Sequence, residues 1–158
     1  MFLNISLGVM MRYVEGYKDL RTSVTVFYRC WLPSEVKHVI IGVHGFVEHS
    51  GRHRHIGEEF ARYGYGFCMY DLRGHGLTAK SDDERGYIDS FDHFLYDLEA
   101  FIESIVEEFR PKSVALFGHS MGGLIVLHYL ARIGSYVDTV ITSGAAAIIK
   151  LTHYHTYS

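Results

Sequence analysis

Apolar positions along the chain fall into two kinds of pattern, short continuous runs and longer stretches spaced three or four residues apart. "SVTVFYRCWL" (23–32) is rich in β-branched and aromatic residues and predicts a strand. The earlier "ISLGVMMRYV" (5–14) is expected to pair with it as a hairpin. "HVIIGVHG" (38–45), "YGFCMYDLRGHG" (65–76) and "SVALFGHS" (113–120) carry apolar runs closed by glycine-containing turns. Such runs predict strands covered on both faces. "VDTVITSG" (137–144) repeats the pattern more weakly.

The spaced pattern lies between these strands. In "FDHFLYDLEAFIESIVEEF" (91–109), Phe91, Phe94, Leu95, Leu98, Phe101, Ile102, Ile105, Val106 and Phe109 occupy one face of a helix. Arg110-Pro111 ends it before the next strand. "GRHRHIGEEFARYG" (51–64) predicts a shorter helix closed by Gly64. No repeat, low-complexity tract or linker interrupts the order. After the opening hairpin, strands alternate with helices, which predicts an α/β domain: a mostly parallel sheet with helices on both faces. In such sheets chemistry gathers at the carboxyl ends of the strands.

Composition narrows the class. With 48% hydrophobic and 21% charged residues over 158 positions, the chain has the make-up of one soluble globular domain. A net charge of −3 offers no attraction to nucleic acid or to an anionic membrane. No stretch reaches the roughly 18 apolar residues a membrane span needs. "MFLNISLGVMMRY" lacks the basic start and unbroken apolar core of a signal peptide. Cys30 and Cys68 both lie in apolar strand-like runs, which predicts buried free thiols in a reducing compartment. A cytoplasmic location is expected.

Three motifs fall on the carboxyl edge. Gly118-His119-Ser120-Met121-Gly122 is a G-x-S-x-G between an apolar strand and an apolar helix. In that setting small residues allow a tight turn that exposes the serine hydroxyl above the sheet. Ser120 is therefore the candidate nucleophile, facing the unpaired N–H groups of a helix start. His44-Gly45-Phe46-Val47-Glu48-His49-Ser50-Gly51-Arg52 ends the earlier strand. It is placed to complete an oxyanion hole from the Phe46 N–H, beside the N–H of Met121. Asp71-Leu72-Arg73-Gly74-His75-Gly76 reads as a structural turn that frames the site. The histidines at 44, 49, 53 and 55 surround a helix start and do not promise the three or four convergent ligands of a zinc site, so no metal and no cofactor is expected.

The runs "HGFVEHSGR", "DLRGHG" and "GHSMGG" together resemble the α/β-hydrolase superfamily, and within it the monoglyceride lipase and lysophospholipase-like group of serine aminopeptidase-like hydrolases. The likeness extends from about Thr22 onward. It implies an α/β-hydrolase fold, Ser120 as nucleophile, and Phe46 and Met121 as oxyanion-hole donors. It also suggests Glu48 and Arg52 near the polar head of a glycerol-type substrate, although a carboxylate and a guanidinium four apart could equally form a local ion pair. The implied substrate is a small acyl ester, cleaved through an acyl-enzyme. Peptidase or thioesterase activity on the same scaffold is the alternative, and a catalytically incompetent fragment is another.

In this fold an Asp or Glu and then a His follow the serine. Asp138 starts the strand after the elbow, on the wrong edge, and His153 and His155 lie where the family enters its cap segment. The chain is accordingly expected to be the N-terminal part, 1–158, of a single α/β-hydrolase domain that lacks the cap and last strands. Lipid contact is expected only transiently, through that cap, and oligomeric state is left open.

Overall fold

The computed structural model describes residues 10–145. Its centre is a six-stranded sheet in the order β1-β2-β4-β3-β5-β6. The strands are β1 (Arg12–Asp19), β2 (Thr25–Leu32), β3 (His38–Val43), β4 (Gly66–Tyr70), β5 (Ser113–His119) and β6 (Thr139–Ser143). β1 and β2 form the expected antiparallel hairpin, and β2 runs antiparallel to β4. The other three pairings, β3 with β4, β3 with β5 and β5 with β6, are parallel. The first strand begins at Arg12, later than its apolar run suggested; residues 5–9 of that run lie outside the described residues.

Alternation along each strand sorts side chains between two layers. Val39, Ile41 and Val43 of β3, Cys68 and Tyr70 of β4, and Val114 and Leu116 of β5 point to one face. There they meet α2 (Phe91–Phe109) and α3 (Met121–Arg132). Ile40, Phe67, Met69 and Phe117 point to the other face and pack with Trp31 against α1 (Arg54–Arg62), through Ala61, Ile56 and Phe60.

α2 has the bounds its spacing predicts. Ser90 caps its start by accepting the Asp92 N–H at 3.3 Å. Arg110 ends it in the left-handed region at φ 48, just before Pro111. Phe94, Leu95, Leu98, Phe101, Ile102 and Ile105 are buried, each worth about 1.5–3 kcal/mol of apolar burial. α1 follows a short 3-10 turn, Ser50–His53, and Gly64 closes it at φ 86.

The cysteines correct the sequence-based expectation. Both are buried, but they are joined to each other as a disulfide rather than free. Strand register explains this: Cys30 and Cys68 are direct partners across β2 and β4, with Cα atoms 4.1 Å apart, so both side chains leave the sheet on one face. The expectation of free thiols is corrected accordingly.

Candidate active site

β3, β4 and β5 end on the same edge of the sheet, and each is followed by one of the three motifs. Ser120 stands between β5 and α3 at φ 53 and ψ −118. A serine held in so sparsely populated a region stores about 1–3 kcal/mol of backbone strain. Its carbonyl accepts the N–H groups of Gly123 and Leu124, and its own N–H donates to the Ser143 carbonyl at 2.9 Å. The Ser120 side chain does not cap the helix that starts beside it. Among the described residues no side chain is hydrogen-bonded to the Ser120 hydroxyl.

The neighbouring glycines are required by contact. A Cβ on Gly118 would lie 2.7 Å from the Gly122 carbonyl oxygen, and one on Gly122 would run into the Val43 carbonyl. Only glycines let α3 start this close to the ends of β3 and β5.

The turn after β3 approaches from the side. A Cβ on Gly45 would come within 3.2 Å of Ser120 Cβ, so the backbone there abuts the serine. His44 is fully buried and fastens this turn from below. Its Nδ1–H donates to the Gly45 carbonyl at 2.8 Å, and its Nε2 accepts the Leu72 N–H at 2.9 Å. Burial lowers its pKa to about 4, so the ring is neutral near pH 7. The Gly45 N–H donates to Glu48 Oε1 at 2.6 Å, and the same oxygen lies 2.9 Å from His53 Nε2. Burial alone would raise the Glu48 pKa, but the Gly45 N–H and His53 outweigh it and the net shift is downward. Among the described residues the N–H groups of Phe46 and Met121 have no acceptor.

Asp71 braces the loop after β4, as expected of a framing turn. Its Oδ1 accepts the Ser50 N–H at 2.7 Å and lies 3.3 Å from Arg29 Nη1. Its Oδ2 accepts the Leu77 N–H at 2.8 Å. His75 Nδ1 is tied to the Arg73 carbonyl at 2.9 Å. Arg73 reaches back to α2, where both oxygens of the buried Asp97 accept its guanidinium at 3.0 Å. Thr22 donates to Asp97 as well, at 2.6 Å. The motifs did not point to Asp97; an aspartate inside an otherwise apolar helix stripe was its only sequence signal.

The remaining candidates separate. Arg52 is exposed, and among the described residues it forms no ion pair with Glu48, whose Oε1 is engaged by Gly45 and His53. Asp138 accepts the Val114 N–H at 2.9 Å at the opposite, amino-terminal edge of the sheet. His153 and His155 lie outside the described residues. No described helix is long and apolar enough to cross a membrane. Among the described residues no three His, Cys, Asp or Glu side chains could together hold a metal ion. An open cleft of about 430 Å³ beside Lys37, Glu108, Arg110 and Lys112 lies at the amino ends of β3 and β5, away from Ser120.

Comparison with known proteins agrees with this fold. The chain is 26% identical over 144 residues to a probable lysophospholipase L2 from Haemophilus influenzae, covering 90% of this chain and 45% of the relative. It is 35% identical over 138 residues to the monoglyceride lipase of Homo sapiens, covering 80% and 43%. A crystal structure of a soluble variant of the Saccharomyces cerevisiae monoglyceride lipase, in complex with a substrate analog, superposes with a TM-score of 0.76 at 27% identity. That match covers 87% of this chain and 45% of the other. The chain therefore spans less than half the length of these relatives. Residues 34–156 match the family described as serine aminopeptidase, S33. With the sheet order and the elbow already established, the chain belongs to this family of α/β-fold serine hydrolases.

Proposed function

We propose that the chain is the nucleophile-bearing part of a serine carboxylester hydrolase that cleaves monoacylglycerol or lysophospholipid-type esters. The observation that carries this is Ser120: a strained, uncapped serine between β5 and a helix start, with the Gly45 backbone against it. Ser120 Oγ would attack the ester carbonyl. The N–H groups of Phe46 and Met121 would receive the oxygen as it becomes negative, a contribution of about 2.7–4 kcal/mol per donor in comparable sites. The alcohol would leave with a proton, and water would then release the acid from the acyl-enzyme. Support for the substrate class comes from the lysophospholipase and monoglyceride lipase names of the relatives. Arg52, exposed beside this turn, is the proposed contact for a polar head group.

A serine needs a base and an orienting acid. His44 is buried with both ring nitrogens engaged, and no described side chain is bonded to the Ser120 hydroxyl. We therefore propose that the acid and base of this site come from polypeptide beyond the described residues, in the length that the relatives have and this chain does not cover. The family's own description keeps peptidase activity as a second reading. The discriminating experiment is a substrate panel on the complete reading frame: monoacylglycerols and p-nitrophenyl esters, aminoacyl amides, and acyl-CoAs. Ester turnover lost in Ser120→Ala is expected. Turnover of amides alone would transfer the assignment to a peptidase.

A further inference from the structure

Among the described residues Val47 is the one β-branched residue with a positive φ, at 55°. A β-branched side chain is strongly disfavoured in the left-handed region. Nor does packing hold it there, because Val47 is 73% exposed. Something else keeps residues 45–48 in this turn. The Gly45 N–H is held by Glu48 Oε1 at 2.6 Å, and Glu48 is in turn held by His53 Nε2 at 2.9 Å. On the other side of the same residue, the Gly45 carbonyl is held by His44 Nδ1–H at 2.8 Å.

These bonds fix a direction. The peptide between Gly45 and Phe46 is planar and trans, so an anchored Gly45 carbonyl sends the Phe46 N–H the opposite way. Orientation of that N–H thus depends on the two peptide units around Gly45, one fastened by His44 and the other by Glu48.

We propose that Glu48 is a positioning residue. Its carboxylate latches the turn at 45–48 in the conformation that aims the Phe46 N–H, against the backbone preference of Val47. The latch itself is a structural relation; its catalytic consequence rests on the oxyanion role proposed for Phe46. A donor aimed in advance needs no reorganisation when charge develops on the substrate. Glu48 on this account does not bind the head group of the substrate.

The test uses the ¹⁵N-labelled 158-residue chain with Glu48→Ala, Val47→Gly and the two combined. In Glu48→Ala, exchange of the Gly45 amide should accelerate at least tenfold and the Phe46 amide resonance should move. Adding Val47→Gly should return the Phe46 resonance towards its native position while Gly45 exchange stays fast, because the residue opposing the turn has been removed. Val47→Gly alone should raise Tm by a few degrees, which keeps the idea testable if Glu48→Ala does not fold. Unchanged Gly45 exchange in Glu48→Ala, or a fall in Tm in Val47→Gly, would overturn the latch. None of these readouts needs turnover, so they stand or fall apart from the hydrolase assignment. In the complete reading frame, Glu48→Ala should lower kcat to a similar degree for monoacylglycerol and for a p-nitrophenyl ester. A rise in KM confined to monoacylglycerol would instead make Glu48 a head-group ligand.

Discussion

His44 and Gly122 show how single residues hold the edge of the sheet in shape. Burial pulls the His44 pKa down to about 4, whereas an unfolded chain would titrate near 6.5. Between those values the unfolded state binds more protons, so stability is complete above about pH 6.5 and declines as the pH falls towards 4. The contribution is on the order of 3 kcal/mol. Urea denaturation at pH 7, 5.5 and 4.5 should show that decline, and His44→Gln should flatten it; an equal slope in the variant would contradict the assignment. Gly122→Ala should destabilise the fold by about 1–3 kcal/mol through overpacking against the Val43 carbonyl, measurable as a lower denaturation midpoint. Gly122 was legible because the G-x-S-x-G spacing states its own steric demand. The bond from Glu48 to His53 was not. Four-residue spacing suggested Arg52, but the 3-10 turn at Ser50–His53 carries residue 53 beneath the carboxylate instead.

Elements declared themselves where their pattern was local. α2 carries its apolar stripe and its Arg-Pro stop within one continuous stretch, so its bounds could be read directly. The pairing of β2 with β4 could not, because it depends on register between strands brought together only by the sheet. That register joins Cys30 to Cys68 across 38 positions. A loop of that size gives a disulfide contribution of about 4 kcal/mol in the chain-entropy account. Reduction, or Cys30→Ala with Cys68→Ala, should therefore lower Tm by roughly 10 °C, read by calorimetry with and without reductant. An unchanged Tm would mean that β-sheet pairing alone holds β2 in place. Between α2 and the loop after β4, the buried Asp97 and Arg73 act as a tie. Arg73→Ala leaves the buried Asp97 carboxylate without its cation and should cost about 3–5 kcal/mol, whereas replacing both residues by apolar ones of similar volume should cost less. Double-mutant denaturation curves separate the two cases.

At the scale of the whole molecule, the sheet brings the ends of β3, β4 and β5 together, and with them a strained serine, a braced turn and a helix start. What the described residues do not provide is a hydrogen-bonded base for Ser120. We propose accordingly that this chain supplies the nucleophile and the anion-binding side of a serine hydrolase site, with its acid and base in the length that the relatives have and this chain does not cover. Reaction with a fluorophosphonate tests this most directly, because the reagent reports an activated serine hydroxyl. The 158-residue chain should label slowly. The complete reading frame should label rapidly at Ser120, shown by peptide mapping, and lose the label in Ser120→Ala. Rapid, stoichiometric labelling of the 158-residue chain alone, or labelling of the complete frame at a residue other than Ser120, would contradict the account.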